Sequence, residues 1–369
     1  MPRSTTQNSA STEPAESISA QPSATREPLL QVDNLHVDFQ TYGGVVQAVR
    51  GVSFDVAAGQ TLAIVGESGC GKSVTVQSLM GLIPMPPGRI HKGTATLRGH
   101  DILASKFIEG RDVRGREISM IFQDPITSLN PTMTIGRQIA ETLEVHRGYG
   151  HSQAFSRAVE LLEMSKIPEA AKRAKQYPFE FSGGMLQRAM IAMAIACEPA
   201  ILVADEPTTA LDVTIQAQIL DLLADLQQET GMAIILITHD LGVVARMADD
   251  VMVMYAGEVV ERGSVDDIFY RSGHPYTQGL RLAMPTNKHN EDGLPEQTLI
   301  AIDGSPPDLF NPPKGCAYHP RCPHAMNVCA QQSPEQYALK PTASSTQGHG
   351  HQAACWLHHE LCTPQGGRS

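Results

Sequence analysis

The chain has 369 residues, of which 41% are hydrophobic, and it carries a net charge of −11. This length allows two or three domains, and the acidic balance argues against a nucleic-acid-binding protein, which needs basic surface to neutralise phosphates. No apolar run approaches the roughly 20 residues that span a bilayer, so we expect any membrane role to act through a partner.

The first half of the chain begins with a segment, residues 1–28, that is rich in Ser, Thr, Ala, Gln, Glu and Pro. It has too few large apolar side chains to offset its ordering entropy, so we predict that it is disordered. Residues 30–39 and 45–56 alternate as half-buried strands do. A continuous apolar strand at 61–65 then leads through a glycine-rich loop to a helix at 74–82.

The second half is more helical at first, from about 132 to 188, and then returns to short apolar strands at 200–204 and 233–238. A helix at 213–229 separates those strands, and a hairpin at 257–263 closes the series. Continuous apolar strands that alternate with helices predict a mostly parallel α/β sheet. Beyond about 265, Pro, Gly and His become frequent, and we predict a separate small domain at 266–369.

Residues 66–73 read Gly-Glu-Ser-Gly-Cys-Gly-Lys-Ser, which is the pattern of a phosphate-binding loop. The glycines let backbone N–H groups point at phosphate, Lys72 supplies a charge to the β- and γ-phosphates, and Ser73 a hydroxyl to Mg²⁺. The alternative is an ordinary glycine turn, which the strand before and the helix after disfavour. Because Cys70 lies at the start of that helix, we also expect its thiolate to be favoured.

Two acidic residues end the strand at 200–204. A carboxylate at the end of a buried strand is costly unless it binds a cation, so we assign Asp205 to Mg²⁺. Glu206 points the other way on an extended backbone and could polarise an attacking water. The alternative is that the acids cap a helix whose first turn holds Pro207, and both readings can hold together.

The stretch Ser182-Gly183-Gly184-Met185-Leu186-Gln187-Arg188 lies where a helix is predicted to begin. Its bare N–H groups and the helix dipole would face an anion outside the chain. Since the phosphate loop already holds one nucleotide, this second anion site suggests that two chains share nucleotides.

The phosphate loop, this Ser-Gly-Gly signature and the paired acids, in that order, resemble the ATP-binding cassette (ABC) family. The resemblance implies an ABC-type P-loop ATPase core at 29–265, with a parallel sheet, an antiparallel β subdomain and an inserted helical subdomain at about 125–187. It also implies two ATP molecules between two subunits, each held by one phosphate loop and the other chain's signature. Met185 departs from the Gln that many members carry, as is common among importers.

The same resemblance implies further roles for residues that match the family's motifs. Gln123 resembles the glutamine that senses Mg²⁺ and links to the membrane partner, Asp212 lies in the loop at the dimer interface, and His239 contacts the γ-phosphate. Tyr42 stacks on adenine or has only a packing role. The implied ATP-binding set is Tyr42, Gly66, Glu67, Ser68, Gly69, Cys70, Gly71, Lys72, Ser73, Val74, Ser182, Gly183, Gly184 and Asp212. The implied catalytic residues are Glu206, His239, Lys72 and Gln123, and the implied Mg²⁺ ligands are Ser73, Gln123 and Asp205.

Five of the seven cysteines crowd the last part of the chain. Four of them follow the pattern Cys-x5-Cys-x6-Cys with a distant fourth, which differs from the close pairs of zinc ribbons. No secretory signal opens the chain, so we expect the protein in a reducing cytosol. Clustered thiols there are more often metal ligands than disulfides. Zinc, an iron–sulfur cluster and unligated thiols all remain open from this spacing. The four residues are Cys316, Cys322, Cys329 and Cys355.

The run His274-Pro275-Tyr276-Thr277-Gln278-Gly279-Leu280, together with the cysteine tail, resembles the ATP-binding subunits of dipeptide and oligopeptide importers. Members of that group carry a [4Fe–4S] cluster on such a four-cysteine pattern, so the resemblance assigns the cluster to Cys316, Cys322, Cys329 and Cys355. Zn²⁺ is the alternative occupant, and Cys362 is a substitute ligand or free.

The resemblance implies an ATPase subunit at the cytoplasmic face of the inner membrane. Its partners would be two transmembrane permeases, which dock at 123–150, a second ATP-binding subunit, either a paralogue or an identical copy, and indirectly a solute-binding protein. One alternative is an importer of nickel or another small solute. Others are a non-transport ABC ATPase, and a metal- or redox-sensing regulator.

Overall fold

The computed structural model describes residues 27–104, 113–209, 211–284, 301–339 and 350–362. The predicted disordered segment 1–28 lies almost wholly outside these ranges. In chain order the strands are β1 Pro28–Thr41, β2 Gly44–Ala57, β3 Thr61–Val65, β4 Gly88–Leu97, β5 His100–Asp101, β6 Ile118–Ile121, β7 Ile201–Asp205, β8 Ala233–Ile237, β9 Asp250–Tyr255, β10 Glu258–Ser264, β11 Tyr337–Ala338 and β12 Gln352–Ala353. The α-helices are α1 Lys72–Leu79, α2 Pro125–Ser128, α3 Ile135–Arg147, α4 His151–Met164, α5 Ala170–Arg173, α6 Gly183–Ile195, α7 Val213–Thr230, α8 Leu241–Met247, α9 Val265–Arg271, α10 Pro275–Leu282 and α11 Asn327–Gln331.

The first sheet has four antiparallel strands in the order β2-β1-β4-β5. Its long strands β1 and β2 extend slightly beyond the segments 30–39 and 45–56 that the alternating pattern predicts. Val32, Val37 and Phe54 point from these strands into a core shared with β3 and α1. The alternation therefore reflects one buried and one exposed face of this sheet.

The second sheet has eight strands in the order β11-β12-β10-β9-β3-β8-β7-β6. The strands from β9 to β6 pair in parallel, and β10 turns back antiparallel to β9. Every residue of β3, β7 and β8 is buried, which explains why these strands are continuous apolar runs in the sequence. The prediction of a mostly parallel α/β sheet is confirmed.

Five helices, α2 to α6, lie along the chain between β6 and β7. Their apolar side chains form one core with α7 and with residues of β7 and β8. Leu143, Leu161 and Met190 lie in the middle of that core and are almost completely buried. This core thus covers one face of β7 and β8, to which Leu202, Ala204, Ile234 and Leu236 point.

The segment beyond 265 extends the main sheet. Strand β12 pairs with β10, with Ala353 opposite Glu261, and β11 pairs with β12. Tyr276 and Tyr318 from this segment share a core with residues of β3 and β9. The segment predicted as a separate small domain therefore extends the eight-stranded sheet and shares a hydrophobic core with it.

One buried carboxylate joins three stretches of this region. Glu261 is fully buried, and its carboxylate accepts hydrogen bonds from the N–H of Gly273 at 2.6 Å and the N–H of His274 at 2.9 Å. The ring Nε2 of His351 lies 2.8 Å from the same carboxylate. Since a buried charge is costly without partners, these contacts fix β10, the start of α10 and the approach to β12 to one another.

We expect Glu261→Ala to lower the free energy of unfolding by about 3 kcal/mol, because it leaves buried donors without an acceptor. Urea unfolding followed by circular dichroism measures the change. The control is Asp225→Ala, which removes an exposed pair with Lys166 and should cost less than about 1 kcal/mol. Equal effects of the two substitutions would contradict the role given to Glu261.

Candidate functional site

The candidate site lies where four neighbouring parallel strands of the eight-stranded sheet end. These strands are β3, β8, β7 and β6, in that spatial order. The loop 66–71 follows β3, His239 follows β8, Glu206 follows β7 and Gln123 follows β6. Because the carboxyl ends of parallel strands share one edge, residues far apart in the chain meet here.

The loop 66–71 makes a tight turn between β3 and α1 that only glycine permits at two positions. Gly66 has φ of 151°, and a Cβ added there would lie 2.2 Å from the carbonyl oxygen of Met254. Gly71 has φ of 98°, and its added Cβ would lie 2.3 Å from the carbonyl oxygen of Ala48. The loop therefore presses against neighbouring backbone and leads directly into the N-terminus of α1, which favours anions.

Lys72 reaches back into this loop. Its side chain is buried, and its Nζ donates hydrogen bonds to the carbonyl oxygens of Gly66 at 2.8 Å and Glu67 at 2.9 Å. Lys72 thus supplies a fixed positive charge at the place where the loop geometry would hold phosphate.

A hydroxyl and a carboxylate meet beside the loop. The Oγ of Ser73 donates a hydrogen bond of 3.0 Å to Oδ1 of Asp205, at the end of β7. Burial raises the pKa of Asp205, although the hydrogen bond from Ser73 opposes the rise. The charged form of this buried carboxylate is unfavourable without a partner. Together with the neighbouring hydroxyl it offers the oxygen ligands that a hard divalent cation such as Mg²⁺ prefers.

Glu206 is the centre of a group of polar side chains. Its Oε2 accepts hydrogen bonds from Nε2 of Gln123 at 2.8 Å and from Oγ1 of Thr209 at 3.0 Å. Its Oε1 lies 3.0 Å from Nδ1 of His239. The extended backbone expected at Glu206 is wrong, because its φ is 48°, an uncommon value outside glycine that places the backbone in a left-handed conformation.

Thr209 is a member of this group that the sequence reasoning missed. It lies three residues beyond Glu206, and its backbone N–H also bonds the carbonyl oxygen of Glu206. No local signal in the sequence pointed to this contact, because whether the hydroxyl reaches the carboxylate depends on how the turn after β7 folds.

The signature residues form the start of α6. Ser182 is its N-cap, and its Oγ accepts a hydrogen bond of 3.4 Å from the N–H of Met185. Gly183 is exposed and open to solvent, whereas Gly184 faces the next helix, since an added Cβ would lie 2.8 Å from Cγ2 of Ile215. The helix thus begins as predicted, with the positive end of its dipole at these residues.

Asp212 lies next to this helix start. It is the N-cap of α7, and its Oδ1 accepts a hydrogen bond of 3.0 Å from the N–H of Ile215. Within the described ranges, no hydrogen bond joins Ser182, Gly183 or Asp212 to the loop 66–71. The signature and Asp212 thus form a second surface, separate from the Glu206 group.

The other predicted ATP-binding residues have varied environments. Tyr42 lies at the tip of the β1–β2 hairpin. Its side chain is fully exposed, so it does not have the packing role that was the alternative. Ser68 and Gly69 are exposed at the crest of the phosphate loop, whereas Val74 packs against the core beneath α1.

The four C-terminal cysteines line one pocket together with His274, His319 and Trp356. Burial, and to a smaller extent the neighbouring thiols, raise the pKa of Cys316 to about 11 and that of Cys355 to about 12. Among the described residues, no three His, Cys, Asp or Glu side chains have the spacing of a single bound metal ion. Cys362 does not line this pocket.

Cys70 differs from the sequence expectation. Its side chain is only 5% exposed, and burial raises the pKa of its thiol in spite of the nearby Lys72. The expected preference for the thiolate is therefore wrong, because the loss of solvent outweighs the helix N-terminus and the lysine charge.

No helix within the described ranges combines the length and the apolar composition that crossing a bilayer requires.

Two family models match the chain. The ABC transporter model matches residues 49–209, and the model of the oligopeptide/dipeptide transporter C-terminal region matches residues 260–329.

Curated relatives are similar over most of the chain. The oligopeptide transport ATP-binding protein OppD of Bacillus subtilis is 54% identical, with 90% of this chain and 89% of that protein covered. The dipeptide transport ATP-binding protein DppD of the same organism is 52% identical, with 90% and 95% covered. OppD of Escherichia coli is 51% identical, with 84% and 89% covered.

Solved structures agree with the fold. A dimeric ATP-binding cassette in a post-hydrolysis state, bound to ADP and Pi, superimposes with a TM-score of 0.57 at 26% identity, covering 64% of this chain and 98% of that chain. The protein cbiO1 of Clostridium perfringens, part of an ABC transporter complex, gives a TM-score of 0.56 at 26% identity, with 69% and 96% covered.

We expect Cys70 to react with iodoacetamide at least about tenfold more slowly than Cys362 at pH 7.5, because burial disfavours its thiolate. Mass spectrometry of the folded protein at successive times measures both rates. Unfolding in urea should remove the difference, and equal rates in the folded protein would contradict the burial of Cys70.

Proposed function

Because the chain belongs to the ABC transporter family, within the group of oligopeptide and dipeptide transport ATP-binding proteins, we propose that it powers the import of di- and oligopeptides through partner permeases. The chain hydrolyses ATP in that role. The observation that carries the proposal is the meeting of the phosphate loop, Gln123, Glu206 and His239 at one edge of the sheet.

In the proposed reaction, Glu206 is the general base for the attacking water. Its Oε2 is oriented by Gln123 and Thr209, and Oε1 faces His239. Such support fixes a carboxylate in the geometry that proton transfer from water requires. Lys72 and His239 would stabilise the charge on the transferred phosphoryl group.

Ser73, Asp205 and Gln123 are the proposed Mg²⁺ ligands, directly or through water. The contact between Ser73 and Asp205, and the raised pKa of that carboxyl, fit a hard cation at this point. Mg²⁺ held by these residues would offset the negative charge of the phosphates.

The remaining nucleotide contacts are proposed to come from a second ATP-binding subunit. Ser182 caps a helix that begins with Gly183 and Gly184, and Asp212 caps the next helix along the chain, α7. They make no hydrogen bond to the loop 66–71 within the described ranges, so a shared site requires another chain. That chain is a paralogue or an identical copy. Tyr42 would stack on the adenine of the bound ATP.

The permeases are proposed to dock beside Gln123, at the cytoplasmic face of the inner membrane. Phe122 and Ile126, which flank the glutamine, are exposed apolar side chains. Tyr177 and Phe179 are exposed as well and stack on each other with ring centroids 5.6 Å apart. Exposed apolar side chains that adjoin a catalytic group fit a partner whose movement must be linked to hydrolysis.

The four-cysteine pocket is proposed to hold an iron–sulfur cluster. Its thiols line one pocket at half-buried positions, except that of Cys329, which is buried, and neighbouring thiols raise the pKa of Cys316 and Cys355. Iron bound there would offset the charge of the thiolates, which is unfavourable without a cation. The described residues do not converge on a single metal ion. An iron–sulfur cluster does not require such convergence, because it contains several iron atoms. Cys316, Cys322, Cys329 and Cys355 would hold it, and Zn²⁺ is the alternative.

We expect Glu206→Gln to retain ATP binding and to lower ATP turnover by more than about a hundredfold, because the amide cannot accept the water proton. Phosphate release and ATP titration measure the two effects, and size-exclusion chromatography should show an ATP-stabilised dimer. The control is Asp221→Asn, an exposed carboxylate paired with Arg246. Normal turnover in Glu206→Gln would overturn the assignment.

The solute class is tested with the complete transporter in liposomes. We expect a solute-binding protein loaded with a dipeptide or oligopeptide to stimulate the ATPase, and one exposed to Ni²⁺ alone to leave it at the basal rate. Stimulation by Ni²⁺ only would favour the nickel importer instead.

For the pocket, anaerobically purified protein should contain about four irons per chain and absorb visible light. Cys322→Ser should remove most of the iron, whereas Cys362→Ser should retain it. One zinc per chain and no visible absorption would favour the zinc alternative.

A further inference from the structure

A side chain from the C-terminal segment makes a two-pronged ion pair with the phosphate loop. Nη1 of Arg321 donates to Oε2 of Glu67 at 2.7 Å, and Nη2 donates to Oε1 at 3.0 Å. The Arg321 side chain is only 5% exposed and that of Glu67 25% exposed. The two residues are separated by 254 positions in the chain, so this contact exists only because the C-terminal segment folds over the loop.

Arg321 is itself fixed in place. Its Nε donates to the carbonyl oxygen of Asp303 at 2.9 Å, and its Nη1 also donates to the hydroxyl of Tyr255 at 3.2 Å. The hydrogen bonds to Glu67 raise the pKa of Arg321 above its usual range. A planar guanidinium held on several sides matches a carboxylate in a way that a lysine could not.

A second side chain of the same segment holds the same residue of the loop. The N–H of Glu67 donates a hydrogen bond of 2.9 Å to the hydroxyl of Tyr276. Tyr276 is fully buried and packs against Tyr255 and Tyr318, with ring centroids 4.6 Å and 5.4 Å away. Both the backbone and the carboxylate of Glu67 are therefore held from outside the loop.

The charge of Glu67 makes this contact consequential. A carboxylate within a loop that binds a polyanion repels the ligand, and the effect is large where water is partly excluded. The paired guanidinium cancels that charge and directs the carboxylate towards the C-terminal segment. Without Arg321, the same carboxylate would be unpaired beside the triphosphate.

We propose that Arg321 is a positioning residue of the nucleotide site, which neutralises Glu67 and, together with Tyr276, fixes the phosphate loop from the C-terminal segment. The inference rests on the proposed ATP-binding role of the loop. It makes ATP affinity depend on the folding of the segment that carries the cysteine pocket, because Cys322 is the residue after Arg321.

The test compares Arg321→Ala, Glu67→Gln and the double variant by titration with a fluorescent ATP analogue and by steady-state ATPase assays. We expect Arg321→Ala to raise the Kd and KM for ATP at least about tenfold, with kcat changed less than about threefold. The double variant should bind ATP with a Kd within about threefold of that of Glu67→Gln alone, since no unpaired carboxylate remains for Arg321 to neutralise.

Two further variants separate this role from general destabilisation. Arg321→Lys keeps the charge but not the two-pronged geometry, so we expect a smaller rise in Kd than with Arg321→Ala. Arg262→Ala breaks a comparable buried pair with Asp55, away from the phosphate loop. It should lower the melting temperature about as much as Arg321→Ala while leaving the Kd for ATP unchanged.

The outcomes are distinct. Normal ATP binding by Arg321→Ala would overturn the inference, as would a double variant that binds ATP much more weakly than Glu67→Gln alone, because Arg321 would then act only on overall stability. Failure of the wild-type protein to bind the ATP analogue would instead overturn the proposed function.

Discussion

The parallel pairing of β3, β8, β7 and β6 is the constraint on which the rest of the site depends. Each strand is continuous and buried, so its direction and register are fixed by packing on both faces. The residue that follows each strand end is then carried to a common edge. Gln123, Glu206 and His239 reach hydrogen-bonding distance in this way, although no two of them are close in the chain.

The phosphate loop adds a second constraint, which is close contact with neighbouring backbone. Gly66 and Gly71 approach carbonyl oxygens of β9 and β2, so the loop is fixed by both sheets at once. Arg321 and Tyr276 hold the same loop from a third side. A loop supported in this manner presents its N–H groups in one arrangement, which is the condition for binding phosphate without a further ordering cost.

The C-terminal segment has a structural role as well as a proposed metal site. Glu261 fixes the start of α10 and the approach to β12, and the tyrosines at 276 and 318 complete a core with β3 and β9. The cysteine pocket lies beside the same core, since His274 both caps α10 and lines the pocket. The pocket and the phosphate loop are therefore separated by only a few packed side chains.

Residues that are adjacent in the chain were enough to predict the order of elements, the pattern of the phosphate loop, the paired acids and the start of the signature helix. The alternating and continuous apolar runs predicted both kinds of strand, since their period follows from which faces are buried. The contacts of Thr209 with Glu206 and of Arg321 with Glu67 follow from the folded structure alone. That structure also reversed the expectation for Cys70, because burial is set by distant elements that pack over a residue, and local sequence does not encode them.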